Sequence, residues 1–341
     1  MTLHEGTDVR TGVTAILPRG KSGVGSACAA GFYSLNGNGE MTGTIWLEEV
    51  GSLATPIMIT NTHAVGSVHR GVIDWVNEKM PALAAEWLLP VVAETWDGYL
   101  NDINGAHVQP EHAKQAINAA QAGKIAEGSV GGGTGMNCYE FKGGSGTSSR
   151  AVKYGVDEYT VGVFVQANFG ARDELTIAGV PIPSSVAPNP LSDTDWFNED
   201  LADAKFSAGA GSIIVIIATD APLLSSQCKA LARRVPLGLA RTGTTGSHFS
   251  GDIFLAFSTA NEGALNSSFP QGEPTSDDYD HIKSIPWGQM NRFYTATVQA
   301  VEEAVVNALI VNQNSIGRKG HISYALPHDA VVKALRAANR I

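Results

Sequence analysis

The segment richest in chemistry is Gly246-Ser247-His248-Phe249-Ser250-Gly251-Asp252, which runs straight into IFLAFSTAN. A polar, glycine-containing loop gives way there to an apolar run of strand length, so Ser250 stands at the mouth of a buried strand. A serine hydroxyl becomes a good nucleophile only when a neighbouring base activates it. From the residues alone, a nucleophile and an ordinary strand-opening serine are both open readings. No G-x-S-x-G elbow supplies a hydrolase triad. The nine histidines form no H-E-x-x-H or similar spacing, and Cys28, Cys138 and Cys228 do not pair with them at zinc-like intervals, so no metal is expected. Arg19-Gly20-Lys21-Ser22 lacks the P-loop's first glycine, with Ala15 in its place. Gly-Gly-Gly-Thr-Gly at 131–135 lacks the third glycine of a dinucleotide fingerprint and no helical pattern follows it. A turn needing positive φ or close backbone approach explains that run more simply.

Several elements must hold these residues. CAAGFYSL, the Asn36 to Gly39 turn and TGTIWLEEV form a hairpin pattern, and PIMITNTH (56–63) reads as a buried strand ending in a polar loop. VHRGVIDWVNEKM has helical spacing, with Val68, Val72, Ile73 and Val76 on one face, and residues 110–122 read as a short surface helix. Two apolar strands, YTVGVFVQANFG and SIIVIIATDA, flank a Pro, Ser and Asp-rich loop, VPIPSSVAPNPLSDTDWFNED. Residues 221–241 read as helical. A long helix is expected near Met290 to Asn312 from Val298, Val301, Val305, Leu309 and Val311, and a last one over 327–340. Because several strands are continuously apolar, the pattern is mixed α/β with largely buried sheets, and no internal repeat is visible.

Composition narrows the function. With 341 residues, 43 % hydrophobic and only 16 % charged, the chain has ample apolar surface to fold. A net charge of −10 argues against nucleic acid as a partner. No segment has the length of a membrane span, the start has no secretory pattern, and three widely spaced cysteines do not form a disulfide framework. A cytoplasmic protein is the expectation.

Read in order, RTGVTAILPRG (10–20), LNGNGEMTG (35–43), ITNTHAVG (59–66), PVVAETWDGYLND (90–102), EGSVGGGTGM (127–136), FKGGSGTSSR (141–150), VGVFVQANFG (161–170), ATDAPLL (218–224), SGDIFLAFST (250–259), AVEEAVVNAL (300–309) and ALPHD (325–329) carry a clear likeness. The chain resembles, over nearly its whole length, the L-aminopeptidase D-Ala-esterase/amidase and β-peptidyl aminopeptidase family of self-processing N-terminal-serine peptidases. The resemblance implies a four-layer α/β/β/α-type sandwich, one structural domain assembled from an α-subunit region, 1–249, and a β-subunit region, 250–341. It implies self-cleavage between Phe249 and Ser250, then release of N-terminal β-, D- or L-aminoacyl groups from short peptides, amides or esters. The freed α-amine of Ser250, titrating near ~8, would act as base for its own hydroxyl, so neither cofactor nor metal is needed. A homo-oligomer of αβ units, tetramer-like, is also implied.

By the same resemblance, Gly132, Gly133 and Gly135 lend backbone N–H groups to an oxyanion, Tyr139 assists, and Glu127 receives the substrate's amine. Without it, Tyr139 reads as a half-buried strand aromatic, Glu127 as a solvated loop carboxylate, and Glu94 and Asp97 as turn and cap residues rather than further acids. Asn61 and Thr62 brace the site. The chain departs from the family at four places. Where relatives carry a Ser-x-Glu or Asp-x-Asp pair downstream of the nucleophile, Trp287, Gly288 and Gln289 stand here, so the catalytic role falls to a neutral Gln289 that cannot stabilise an ammonium as a carboxylate does. Gly211-Ser212 occupies the neighbourhood of an expected Asn, and Phe249 is bulkier than usual. The start of the chain reads as lacking the family's leading strand. An acyl transferase similar to ornithine acetyltransferases, which cut before Thr, and a non-cleaving relative are the alternative functions.

Overall fold

The computed structural model describes residues 1–86, 88–193, 211–270 and 272–341. Its main strands are β1 (Thr14–Ile16), β2 (Cys28–Ser34), β3 (Ser52–Leu53), β4 (Ile57–Asn61), β5 (Val91–Thr95), β6 (Gly144–Tyr154), β7 (Asp157–Asn168), β8 (Ser212–Thr219) and β9 (Ile253–Ser258). The helices that cover them are α1 (Val65–Lys79), α2 (Pro110–Ala119), α3 (Ser225–Ala232), α4 (Val235–Ala240) and α5 (Asn291–Ile310). A six-stranded sheet runs β6-β7-β8-β9-β2-β3, and a three-stranded sheet runs β1-β4-β5.

The continuous apolar runs follow from burial on both faces. Along β8, Ile213, Val215 and Ile217 join the core beneath the helices, whereas Ile214 and Ile216 join the core between the two sheets. In β9, Phe254 and Ala256 take the helix side, and Ile253, Leu255 and Phe257 the sheet side. On the three-stranded sheet, Ile57, Ile59, Val91 and Ala93 face the first sheet, while Met58 and Val92 pack with Val68, Val72, Trp75 and Val76 of α1 and Ala113 and Ile117 of α2. The order is therefore helix, sheet, sheet, helix: the four-layer α/β/β/α sandwich expected, in one domain. Each large apolar side chain so buried contributes roughly 1.5–3 kcal/mol, which makes β2, β8 and β9 a rigid base for the loops at their ends.

The strands over 28–34, 57–61, 157–168, 212–219 and 253–258 and the helices over 65–79, 110–119 and 291–310 match the sequence pattern. The buried face of α5 is richer in alanine than the valine spacing suggested, with Ala296, Ala300, Ala304 and Ala308 all inward while Val311 is exposed. Small residues let the helix lie close on β6, where a Cβ on Gly146 would fall 2.0 Å from the Ala304 carbonyl oxygen. Two expectations are corrected. TGTIWLEEV is not the second strand of a hairpin: Thr44–Val50 is a helix bounded by Gly43 (φ 74°) and Gly51 (φ 66°), and only Leu47 of it is buried. Residues 221–241 are two helices, because Pro236 near the start of α4 cannot donate the bond a continuous helix would need. The loop VPIPSSVAPNPLSDTDWFNED falls outside the described residues from 194 onward; before that it carries 3-10 turns at Ser184–Val186 and Pro190–Ser192.

Candidate active site

The site is built by the pairing of β9 with β2. The antiparallel register sets Ile253 opposite Ser34, so continuing both chains past the sheet brings residues 252 to 250 alongside 35 to 38. The Leu35 N–H donates to the Asp252 carbonyl (3.0 Å) and the Asn38 N–H to the Ser250 carbonyl (3.2 Å). On the other side, Gly251 donates to the Gly211 carbonyl (3.3 Å) and to Ser212 Oγ (3.1 Å). Gly251 is required here by proximity: a Cβ on it would meet Gly39 Cα at 2.5 Å and the Asn38 carbonyl oxygen at 2.6 Å.

Ser250 is 2 % exposed. Its Oγ donates to Asp252 Oδ1 at 2.5 Å. Asp252, itself buried, also accepts from the Ile213 N–H on Oδ1 (3.2 Å) and from Asn36 Nδ2 on Oδ2 (2.9 Å), while its own N–H donates to Asn36 Oδ1 (2.6 Å). Burial raises the Asp252 carboxyl above its usual range, and the bonds from Ser250, Asn36 and Ile213 oppose that rise. The carbonyl that precedes Ser250 is engaged as well: Asn38 Nδ2 donates to the Phe249 carbonyl oxygen at 3.0 Å. The Phe249 ring is 53 % exposed, so its bulk meets water rather than a small pocket. Asn36, Asn38 and Asp252 had no role in the sequence reading beyond turn and motif; the NGNG and SGD patterns were their only signal.

The loop before Ser250 is pinned by the buried Tyr139 and the half-buried Glu174. Tyr139, φ 50° and wholly buried, shares a hydrogen bond with Thr242 Oγ1 (2.7 Å) and accepts from the Thr244 N–H (3.2 Å). Burial drives its phenol pKa up, so it stays protonated at neutral pH. Glu174 accepts from both the N–H (3.1 Å) and the hydroxyl (2.8 Å) of Thr245. Tyr139 is thus joined to the loop that precedes Ser250, and its described bonds stop at Thr242 and Thr244 on the hydroxyl.

Glu94, at the end of β5, is buried, and a Cβ on Gly39 would lie 3.2 Å from its Oε1. It accepts from the Glu40 N–H (3.0 Å) and the Thr62 hydroxyl, and burial raises its carboxyl despite these bonds. Asp97 is pushed up to about 7 by complete burial, against bonds from Thr11, Asn101 and Asn61. Asn61 donates to Thr11 Oγ1 (2.8 Å) and caps the turn at His63. These four brace the ends of β4 and β5.

The other expected site residues make contacts of their own. Glu127 Oε1 accepts from the N–H and the hydroxyl of Thr147 (both 2.7 Å), on β6, three strands from β9. Gln289 is exposed on the 3-10 turn Trp287–Gln289 before α5, with its N–H on the Pro286 carbonyl (2.9 Å). The Gly132 N–H donates to Thr14 Oγ1 (3.1 Å) and the Gly133 N–H to the Val130 carbonyl (3.0 Å). Close backbone approach, as the residues suggest, requires glycine in this run: a Cβ at 132, 133 or 135 would fall 2.2 Å from Gln166 Oε1, 2.5 Å from the Ser145 nitrogen or 2.2 Å from the Arg10 carbonyl oxygen. Among the described residues no cluster could hold a metal ion, and no helix is long and apolar enough to cross a membrane.

A four-layer sandwich with a serine presented at the mouth of an inner strand defines the class of Ntn-hydrolase-fold peptidases. The profile of Peptidase family S58 matches residues 1–323, and the chain belongs to that family. It is 46 % identical over 335 residues to a beta-peptidyl aminopeptidase, BapA, of Sphingosinicella microcystinivorans, covering 98 % of this chain and 82 % of the relative. Among solved structures, a Burkholderia sp. beta-aminopeptidase superposes with a TM-score of 0.86 at 43 % identity, over 98 % of this chain and 90 % of that one. The L-aminopeptidase D-Ala-esterase/amidase of Ochrobactrum anthropi, described as a variant of the Ntn hydrolase fold, gives 0.85 at 40 %, over 97 % and 87 %. The protein is an aminopeptidase/amidase that hydrolyses peptide bonds, and its fold implies self-cleavage.

Proposed function

We propose that Ser250 is the nucleophile of both reactions and that the chain cuts itself between Phe249 and Ser250 into 1–249 and 250–341. The observation that carries this reading is the buried Ser250 hydroxyl, bonded to a carboxylate at 2.5 Å, directly after a loop whose Phe249 side chain lies in solvent. Once the bond opens, Ser250 Oγ and the new α-amine share one residue. At neutral pH part of that amine, titrating near ~8, is unprotonated and takes the hydroxyl proton as Oγ attacks a substrate carbonyl. The substrate class is short peptides, amides or esters with a free N-terminal aminoacyl group, β-aminoacyl first, as in the names of two of the relatives above.

Denaturing electrophoresis of the wild type beside Ser250→Ala tests the reading. Two fragments in the wild type and one full-length band in the variant are expected; a full-length wild-type band overturns it. The p-nitroanilides of β-alanine, L-alanine and D-alanine then rank the substrates, and acetyl transfer from an acetylated amino acid to glutamate would mark a transferase instead.

A further inference from the structure

The uncut chain holds a serine whose own α-nitrogen is still an amide, so the amine that serves the mature enzyme is not available for the first cut. Self-cleavage therefore needs a different proton acceptor and a donor for the Phe249 carbonyl oxygen. Both requirements are met by neighbours that the Ser250 reading leaves without a role.

We propose that Asp252 is the general base of self-cleavage and that Asn38 is the side-chain donor of its oxyanion site. This rests on Ser250 being the nucleophile. Asp252 Oδ1 lies 2.5 Å from Ser250 Oγ, within the reach that proton transfer requires. Asn38 Nδ2 lies 3.0 Å from the oxygen that becomes negative, and its backbone N–H holds the Ser250 carbonyl at 3.2 Å. One residue thus grips the peptide units on either side of the Ser250 α-carbon. Asn36 fixes Asp252 by a two-way bond, Nδ2 to the carboxylate and Oδ1 from the Asp252 N–H. It also donates from Nδ2 to the Ser247 carbonyl at 3.0 Å, so the same side chain ties the base to the loop that carries the scissile bond.

The step balances within these groups. Asp252 takes the Oγ proton as Oγ bonds to the Phe249 carbonyl carbon, and the oxyanion forms against Asn38 Nδ2. The C–N bond to Ser250 then breaks, and the leaving nitrogen takes the proton back from Asp252 to become the α-amine. The resulting ester is opened by water, which leaves the Phe249 carboxylate and the free Ser250 hydroxyl. A carboxyl held above its ordinary range by burial is a stronger acceptor than a solvated aspartate, which suits Asp252 to the first transfer.

The test is a time course of self-cleavage in the freshly translated full-length chain, comparing wild type, Ser250→Ala, Asp252→Asn and Asn38→Ala. Asp252→Asn keeps an oxygen acceptor and removes the basicity, so the rate should fall by ~10²–10⁴, the usual share of a general base. Asn38 is exposed, so its substitution should leave the unfolding midpoint near wild type while slowing cleavage by about tenfold or more, short of the ~10²–10³ of a fully enclosed donor. Hydroxylamine, which opens esters and spares peptide bonds, should not release fragments from Asp252→Asn; if it does, Asp252 acts after the acyl shift and the proposal is overturned. A cut wild type and uncut Ser250→Ala, with both other variants cutting within twofold of wild type, overturns this proposal alone. An uncut wild type overturns the Ser250 reading and this one with it.

Discussion

Gly251→Ala tests the geometry of the site with a single methyl group. The added Cβ would stand 2.5 Å from Gly39 Cα and 2.6 Å from the Asn38 carbonyl oxygen. Carbon atoms rest comfortably at about 3.5–4.0 Å, so the 36–39 turn must withdraw by about 1 Å. The contact is backbone on backbone, with no flexible side-chain end to give way. Asn38 Nδ2 now reaches the Phe249 carbonyl at 3.0 Å; a withdrawal of about 1 Å takes it to about 4 Å, outside hydrogen-bonding range. The bond from the Asn38 N–H to the Ser250 carbonyl, 3.2 Å, goes the same way. Overpacking of this kind costs roughly 1–3 kcal/mol of stability, and loss of the oxyanion donor slows cleavage by about tenfold or more. The assay is the appearance of the 1–249 and 250–341 fragments with time, beside a thermal unfolding curve. If Gly251→Ala cleaves at the wild-type rate while folded, the turn does not have to touch Gly251 for the reaction, and the argument from close approach fails.

Two more outcomes follow from the groups around the site. Tyr139→Phe removes the acceptor of the Thr244 N–H and the partner of Thr242, for an expected loss of about 1–3 kcal/mol in denaturant unfolding. It should slow self-cleavage severalfold yet leave kcat of the cut enzyme within about tenfold; a loss beyond a hundredfold would mean the phenol reaches the reacting atoms. Asp97, with its carboxyl raised to about 7 in the fold against 3.8 ordinarily, binds a proton in the folded state that the unfolded chain has released between those values. Its contribution to stability is fully present below pH 3.8 and is lost as pH rises toward 7, at about 1.4 kcal/mol per pH unit at most. Asp97→Asn should flatten that decline, seen as a narrowing gap between the two proteins' unfolding midpoints at low pH and a widening one in the variant's favour near neutrality. Parallel midpoint curves would refute it.

The inner layers of the fold are legible because their physics is local to each strand. SIIVIIAT and IFLAFS are apolar at successive positions, which only two-sided burial explains, and both are central strands of the larger sheet. TGTIWLEEV misleads because β-branched and aromatic residues suggest a strand, whereas the glycines at 43 and 51 close a helix that buries one residue. Propensity is a weak prior where so little packing depends on it. In α5 the valine spacing finds the helix, but the buried face follows the alanines that let it approach Gly146.

At the site the sequence points to the proposed nucleophile and conceals the partners proposed for it. The change from polar loop to apolar strand at Ser250 leaves a nucleophile and an ordinary strand-opening serine equally open; the likeness of SGDIFLAFST to the family is what singles the residue out. Its base is two positions away, but alternation along an extended chain only sets side chains 250 and 252 on one side; nothing in the spacing says that the carboxylate turns back to the hydroxyl. That orientation comes from Asn36, more than 200 positions distant, and the donor to the scissile carbonyl comes from Asn38 at a similar separation. A turn of alternating Asn and Gly reads as hairpin chemistry on its own. It becomes site chemistry only when the Ile253 to Ser34 register is known, for that pairing fixes which residues the two chains bring together beyond the sheet's edge. The glycine loop at 131–135 is legible from its residues: its composition points to positive φ or close backbone approach, and tight packing against Gln166, Ser145 and Arg10 accounts for those glycines. Backbone donors can be assigned to an oxyanion only after their existing acceptors are known.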